Sequence, residues 1–481
     1  MSKGLAKSGA WVALDNASAA LLAFTFFVVT ARLLTPEQFG VAALVLSVSQ
    51  IVQPMIDALF HDVIVQKDGL DDKDLTSATT FCLIWSALLS AAIWLLSPWL
   101  AASLSAPAME TYLPWLGVSL VFSGLSAVAS AEARRNMQFR WLAIRTIVGR
   151  AVGMIVGLWL AWHGEGIWAI VLQAMISTVA SSSLLIARTG VHIGAISWTR
   201  LKPLLAFAAP TMGTQVLLYA NSRIVTLLIG GALGPIAAGT WSVAFRFVEP
   251  LQAVLATTIG QFCLPIFSRK QADAAAIGRY FSTGTRYFAV ILVPLFLGLA
   301  MCANYIVLVF VGEKWLDAVP IMRIVSIVTM LLLLRQLAEL VLTARGRPQY
   351  TFYTHLCGSV LSIFGVYCGG LTGLLLSAAI GWSARVLPFI TLNAFFVRNE
   401  LGLSLREQFS QAALPVGAGV VMCGALYALE PAVSVNSQFG MLAVMICAGA
   451  AIYGIVLLSL DGEIRRMLAD RVRQLRGRSV G

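Results

Sequence analysis

Charge is what this sequence has least of. Only 11% of its 481 residues are Asp, Glu, Lys or Arg, against 59% hydrophobic residues. A water-facing domain carries roughly 25% charged residues, so a soluble globular protein is excluded. Histidine is rarer still: four residues, scattered. The seven cysteines form no CxxC pair and lie mostly inside apolar runs, as at Cys82, Cys263, Cys302 and Cys423. A disulfide framework and a zinc site are both disfavoured. No GxxxxGK[ST] occurs, so the chain has no Walker A loop with which to drive transport by ATP. HExxH and a nucleophile elbow are also missing, and no cofactor or enzymatic role is expected. Asp72-Lys73-Asp74 matches a DxD pattern literally, but it lies in a short loop with no nucleotide-sugar domain around it. It is read as a solvated turn.

What the chain has is apolar length, with a mean hydropathy of +0.85. A helical span needs about 20 mostly apolar residues. Fourteen such segments are predicted: 9–31, 39–60, 75–97, 111–131, 141–162, 166–187, 204–230, 236–260, 287–311, 319–342, 350–369, 372–397, 411–430 and 438–460. The first is too long for a signal-peptide core, carries Asp15 and Asn16, and lacks a cleavage site, so it is read as a span. The net charge of +11 lies largely in the loops and is topological, with no nucleic-acid partner implied. With the N-terminus placed in the cytoplasm, 25 of the 33 Lys and Arg fall in cytoplasmic segments, two in outer loops and six within spans. Both termini are therefore expected in the cytoplasm. The basic tail 461–481 is read either as an amphipathic segment on the anionic inner leaflet or as a solvated tail.

Two short motifs recur. Leu34-x-Pro36-x-x-x-Gly40 returns as Leu233-x-Pro235-x-x-x-Gly239, both on predicted outer turns. ARRNMQF (133–139) returns as ARGRPQY (344–350), both on cytoplasmic turns. The pairing predicts two six-helix lobes in one orientation, 1–200 and 201–400, around a central cavity. Residues 401–460 add two helices. The fold class is thus all-α and polytopic, a transporter architecture that works by rocking one lobe against the other. In ARLLTPEQFG, Thr35 is a predicted N-cap, Pro36 opens the next helix, Glu37 suits its positive end and Gly40 permits close packing.

Charges inside predicted spans cost roughly 2.5–3.5 kcal/mol each, so they should face a wet cavity or a partner. Arg150, Arg223 and Arg385 have no acidic residue three or four positions away and are favoured as cavity residues. Arg246 and Arg335 are candidates too, with the alternative that Arg246–Glu249 and Arg335–Glu339 neutralise themselves on one helix. Arg323 is close enough to a helix end to snorkel. The cavity arginines suit an anionic cargo, above all a diphosphate or anionic glycan. Thr211, Thr214, Gln215, Tyr219, Asn221 and Trp241 are candidates for sugar contacts or for ordinary helix packing. Asp15, Glu249 and Glu339 are the candidates for ion coupling.

ARLLTPEQFGVAALV, the Gln66-Lys67-Asp68 loop, ARRNMQFRWLA, LLIGGALGPIAAGTWSVAFRFVEPL and LPIFSRKQAD together resemble the polysaccharide transport family, over roughly 1–400. The family belongs to a superfamily that also holds multidrug antiporters and the peptidoglycan-precursor flippase. The resemblance implies a 14-helix flippase of the bacterial cytoplasmic membrane. It would move undecaprenyl-diphosphate-linked oligosaccharide repeat units from the inner to the outer leaflet for exopolysaccharide, capsule or O-antigen synthesis. The family's frequent span-7 aspartate is replaced here by Val225, which moves any coupling role toward Asp15 or Glu249. The expected partners are the lipid-linked oligosaccharide, membrane lipids, and a polysaccharide polymerase or initiating glycosyltransferase; a monomer is expected. The alternative is an ion-coupled small-molecule antiporter of the same superfamily.

Overall fold

Helices form wherever the apolar runs predict them. The structure is a computed structural model that describes residues 2–67, 69–433, 437–462 and 465, without the side chains of 2–10, 12, 13, 210, 211, 214 and 217–219. The tail beyond 465 lies outside the described residues. No strand occurs among those that are described. In chain order the α-helices are α1 (Ser2–Leu33), α2 (Pro36–Val52), α3 (Pro54–Asp57), α4 (His61–Gln66), α5 (Asp72–Ser103), α6 (Met109–Arg135), α7 (Phe139–Trp162) and α8 (Ile167–Thr189). They continue with α9 (Trp198–Arg269), α10 (Ala274–Met301), α11 (Ala303–Phe310), α12 (Ala318–Ala344), α13 (Pro348–Gly370), α14 (Leu375–Ser383), α15 (Val386–Leu401), α16 (Leu405–Leu429) and α17 (Gln438–Leu460).

Thirteen helical stretches among the described residues are long and apolar enough to cross a membrane. One of them, Ala220–Arg269, has 50 residues and would measure about 75 Å at 1.5 Å per residue. That is more than twice the roughly 30 Å hydrocarbon core. Its backbone breaks at Gly234 (φ 85°), directly before Pro235, so the stretch divides into two spans as the hydropathy predicts.

Three predicted spans are less regular than expected. Span 2 is split among α2, α3 and α4; at the first break Pro54 has no N–H to donate to the carbonyl of Gln50. Span 12 is split into α14 and α15 at Ala384-Arg385. Here Pro388 cannot bond the Ala384 carbonyl, which accepts instead from Leu387 N at 3.0 Å. The predicted span 287–311 begins earlier, at Ala274, and is interrupted at Cys302.

The first turn of α2 follows the local chemistry of the sequence. Thr35 caps it, accepting from Gln38 N at 3.2 Å, while the Gln38 side chain accepts from Thr35 N at 3.0 Å. Pro36 stands at the first helical position. Asp71 does the same for α5, so the DxD-like stretch is a capped helix start and not merely a solvated turn. The Asp74 N–H and the neighbouring Arg200 guanidinium hold the Asp71 carboxyl below the usual carboxylate range.

The chain divides into two compact units, Met1–Val243 with Gly370–Leu375, and Ala244–Gly369 with Leu376–Gly481. In the first, Leu59, Phe60, Val63 and Ile64 bury themselves among Cys82, Val128, Leu201 and Leu204. This anchors the broken span 2 against α5, α6 and the start of α9. In the second, Phe281, Leu292, Phe296, Met322 and Leu337 are buried core residues.

Candidate functional site

Span 2 lines a cavity on both sides of its break. Gln53, Asp57, His61 and Asp62 line a cavity of about 680 Å³ inside the first unit. Helix α6 adds Ser123, Ser126 and Ser130, and its C-terminal turn adds Arg134. Helix α7 contributes Arg145, Thr146 and Arg150, α8 contributes Ser177, Thr178 and Ser181, and α9 contributes Gln215 and Arg223. Small residues set this geometry. Gly149, Gly153 and Gly157 form one face of α7, and a Cβ at Gly149 or Gly153 would lie 2.0 or 2.1 Å from the hydroxyl of Ser181 or Ser177. The two helices therefore approach backbone to backbone, as small-xxx-small seams do in membranes.

Within the cavity both oxygens of the Asp57 carboxylate accept a hydrogen bond. Ser123 Oγ donates to one oxygen, and Gln53 Nε2 donates to the other at 3.0 Å. His61 Nδ1 lies 2.8 Å from Asp62 Oδ1. Arg145 Nη2 donates to Ser130 Oγ at 2.8 Å. Arg150 Nη1 stands 3.9 Å from Asp15 Oδ1 on α1, an ion pair too long to be a hydrogen bond. Four guanidinium groups against two lining carboxylates leave the cavity positively charged.

The eight predicted site residues are not brought together in one place. Arg150 and Arg223 line the cavity, and Asp15 sits beside it as the partner of Arg150. No partner of Arg150 was visible nearby in the sequence, and the structure supplies one from another helix. Arg246, Glu249, Arg335, Glu339 and Arg385 belong to the second unit. Arg335 and Glu339, the pair that could neutralise itself on one helix, also bond residues of other helices. Arg335 is 5% exposed; its Nη2 donates to Gln408 Oε1 at 3.4 Å and its guanidinium stacks on Phe409 at 5.0 Å. Glu339 lies 3.3 Å from His355 Nε2 and accepts from Asn393 Nδ2 at 3.5 Å. One helical turn brings Cα atoms together, but the side chains turn toward the helices that pack on either side. Arg385 sits at the break between α14 and α15, over the rings of Trp382 and Phe389 at 5.4 and 5.8 Å. Arg323 Nε donates to Ala300 O at 3.3 Å, which ties the guanidinium to α10. Among the sugar-contact candidates, Gln215 lines the cavity and Trp241 is 2% exposed, packed in the core. The side chains of Thr211, Thr214 and Tyr219 lie outside the described ones.

Sequence reasoning did not single out the hydroxyl-bearing faces, Asp57, Arg134 or Arg145 as site residues. The available signal was a run of serines at helical spacing inside apolar segments, Ser123/Ser126/Ser130 and Ser177/Ser181, together with Gln53-Pro54-x-x-Asp57. Helical spacing puts each set on one face.

An all-helical membrane bundle with a charged, hydroxyl-lined cavity has the build of a polytopic membrane transporter. The chain belongs to the family described as polysaccharide biosynthesis protein, whose model matches residues 29–320. It is 23% identical to the succinoglycan biosynthesis transport protein ExoT of Rhizobium meliloti, over 100% of this chain and 98% of that one. It is 20% identical to the teichuronic acid biosynthesis protein TuaB of Bacillus subtilis, over 98% and 99%. It is 22% identical to the lipopolysaccharide biosynthesis protein WzxC of Escherichia coli, over 85% and 84%. Among solved structures it shares the fold of the lipid II flippase MurJ in an inward closed conformation, with a TM-score of 0.77, 15% identity and coverage of 94% and 98%. An inward-facing multidrug resistance transporter of the MATE family matches with a TM-score of 0.58, 14% identity and coverage of 79% and 95%.

Proposed function

We propose that this protein is a flippase for lipid-linked oligosaccharides. Its cargo is a polyprenyl-diphosphate-linked repeat unit, of the undecaprenyl type, that it carries from the inner to the outer leaflet of the bacterial cytoplasmic membrane. The observation that carries this reading is the cavity of the first unit. It lies within a membrane bundle and is lined by four arginines and several hydroxyls. Guanidinium groups hold phosphate oxygens with paired hydrogen bonds and stay charged at every physiological pH. Hydroxyls match a glycan, and the lipid tail needs no protein pocket because it stays in the bilayer. The family and the names of the relatives support the same cargo class.

Movement follows from alternating access, the mode of transporters built from internal repeats. Asp15, Glu249 and Glu339 are the proposed sites through which an ion gradient acts. The excess of Lys and Arg in alternate loops supports cytoplasmic termini. The polymerase and the initiating glycosyltransferase are the proposed protein partners of a monomeric flippase that uses no cofactor. Complementation tests the reading. In a strain deleted for the gene, Arg150→Ala/Arg223→Ala, made at wild-type level, should leave the strain without polymer. Normal polymer from that variant overturns the arginine-held cargo.

A further inference from the structure

Three hydroxyls of the cavity are polarised in the same sense. Thr146 Oγ1 donates to the carbonyl of Leu142 at 2.7 Å, Thr178 Oγ1 to that of Ala174 at 3.1 Å, and Ser181 Oγ to that of Ser177 at 2.7 Å. A carbonyl oxygen can only accept, so each hydroxyl proton is committed inside its own helix. What these oxygens still offer is lone pairs. The arginines of the same cavity are the converse: Arg134, Arg145, Arg150 and Arg223 donate and cannot accept. Both oxygens of Asp57 already accept one hydrogen bond each, from Ser123 and from Gln53.

A ligand that matches both the charge and the acceptors carries anionic oxygens and hydroxyl protons in one molecule. A fully ionised diphosphate has no hydroxyl protons for the three oxygens, and a neutral sugar has no charge to offset the guanidinium groups. A glycosyl phosphate satisfies both. The spacing agrees. Thr146 and Arg150 are one turn apart on α7, which places their Cβ atoms about 5–6 Å from each other. Gly149, next to Arg150, packs so tightly on α8 that its absent Cβ would meet Ser181 Oγ at 2.0 Å. Thr178 precedes Ser181 by three residues on the same helix face. Thr146, Arg150, Thr178 and Ser181 thus line one cavity on two helices that approach backbone to backbone.

We infer that Thr146, Thr178 and Ser181 accept hydrogen bonds from the hydroxyls of the sugar attached directly to the phosphate, and so form the subsite that selects the first sugar of the cargo. This deepens the flippase reading and rests on it. A site built to bond a substrate hydroxyl discriminates strongly against analogues that lack it, because its own polar groups are then left unmatched.

The test is equilibrium binding to the purified full-length protein in detergent. The probes are inorganic phosphate and the 1-phosphates of glucose, galactose and N-acetylglucosamine, with their deoxy analogues. The wild type should bind at least one sugar phosphate about tenfold more tightly than inorganic phosphate. Thr146→Val/Thr178→Val/Ser181→Ala, which nearly conserves volume, should shrink that preference to under about twofold while inorganic phosphate still binds. Retained phosphate binding also shows that the variant is folded, and Thr146→Ser should keep the preference. A triple variant that keeps the full preference overturns the subsite, as does a wild type that prefers no sugar phosphate. Failure of every anion to bind, phosphate included, overturns the arginine site on which the flippase reading stands.

Discussion

Gly40 and Pro235 meet backbone to backbone: a Cβ on Gly40 would lie 1.8 Å from the carbonyl oxygen of Pro235. The contact is reciprocal, since a Cβ on Gly239 would lie 2.8 Å from the carbonyl oxygen of Pro36. The two copies of the Leu-x-Pro-x-x-x-Gly motif therefore touch each other through the residues that define them. Pro36 starts its helix, Pro235 follows the break at Gly234, and each glycine, one turn later, removes the side chain that would keep the two helices apart.

This contact predicts a graded steric series. Gly40→Ala forces a backbone shift and should destabilise the protein by about 1–3 kcal/mol, the usual range for overpacking. Gly239→Ala should cost less, and Gly260→Ala, with nothing within 4 Å of its added Cβ, should be neutral or slightly stabilising. Apparent melting temperatures of the three purified variants give the order directly. Equal melting of Gly40→Ala and wild type contradicts the contact.

The second pair of repeated turns predicts a gain. Both close with the same two hydrogen bonds: Met137 N to Arg134 O and Gln138 N to Ala133 O in one, and Gly346 N to Thr343 O and Arg347 N to Leu342 O in the other. The residue in the left-handed region is Met137 (φ 55°) in the first and Gly346 (φ 74°) in the second. The turn geometry thus pairs Ala133 with Leu342, whereas the sequence motif pairs it with Ala344. A bulky side chain is strained there. Met137→Gly should stabilise by about 0.5–1 kcal/mol, and Gly346→Ala should destabilise by about 1 kcal/mol. Thermal unfolding in one detergent distinguishes the two signs.

Two ion pairs predict unequal costs. Arg286 holds Asp461 with two hydrogen bonds, and the Asp461 side chain is 1% exposed. Asp461→Asn should cost about 3–5 kcal/mol, as breaking a buried pair does. Asp15 and Arg150 are 30% and 40% exposed and 3.9 Å apart. Solvent screening keeps that pair below about 1 kcal/mol, so Asp15→Asn should leave stability nearly unchanged. The same stability assay reads both, and a large loss from Asp15→Asn contradicts the geometry.

Acid should loosen the start of α5. The folded pKa of Asp71 is depressed, chiefly by the Asp74 N–H and then by Arg200, so its contribution is complete above the ordinary value of 3.8. It fades as pH falls through the lowered value. Hydrogen exchange in the first turn of α5, corrected for its intrinsic pH dependence, should stay constant from pH 7 to pH 5 and rise only below 3.8. Arg200→Gln should move the rise to higher pH.

Much of the fold was legible because its rules are local. Apolar length predicted the helical stretches, thirteen of which among the described residues can cross a membrane, one of them broken at Gly234, and Thr35 and Pro36 announced a capped helix within a few residues. The breaks were less legible. Pro54 and Pro388 each disrupt a span, whereas Pro98, Pro114, Pro294 and Pro415 sit inside continuous helices. Which proline breaks a helix depends on the packing around it. The site was half legible. Arg150 and Arg223 stood out by their cost in a membrane, but the pairing of Arg150 with Asp15 joins α1 to α7, and no spacing rule reaches that far. Serines escaped notice because their chemistry depends on whether a helix face meets lipid, another helix or a cavity.

The central claim is that this protein moves a lipid-linked oligosaccharide across the membrane, and its most direct test is the fate of that lipid when the gene is deleted. Lipid extracts would be analysed by mass spectrometry for diphosphate-linked oligosaccharides, and the leaflet holding them probed by accessibility in spheroplasts. A complete repeat unit trapped on the inner leaflet, released to the outer one by wild type but not by Arg150→Ala/Arg223→Ala, is the predicted result. Undiminished polymer with no trapped intermediate would contradict the flippase and turn attention to ion-coupled export of small molecules.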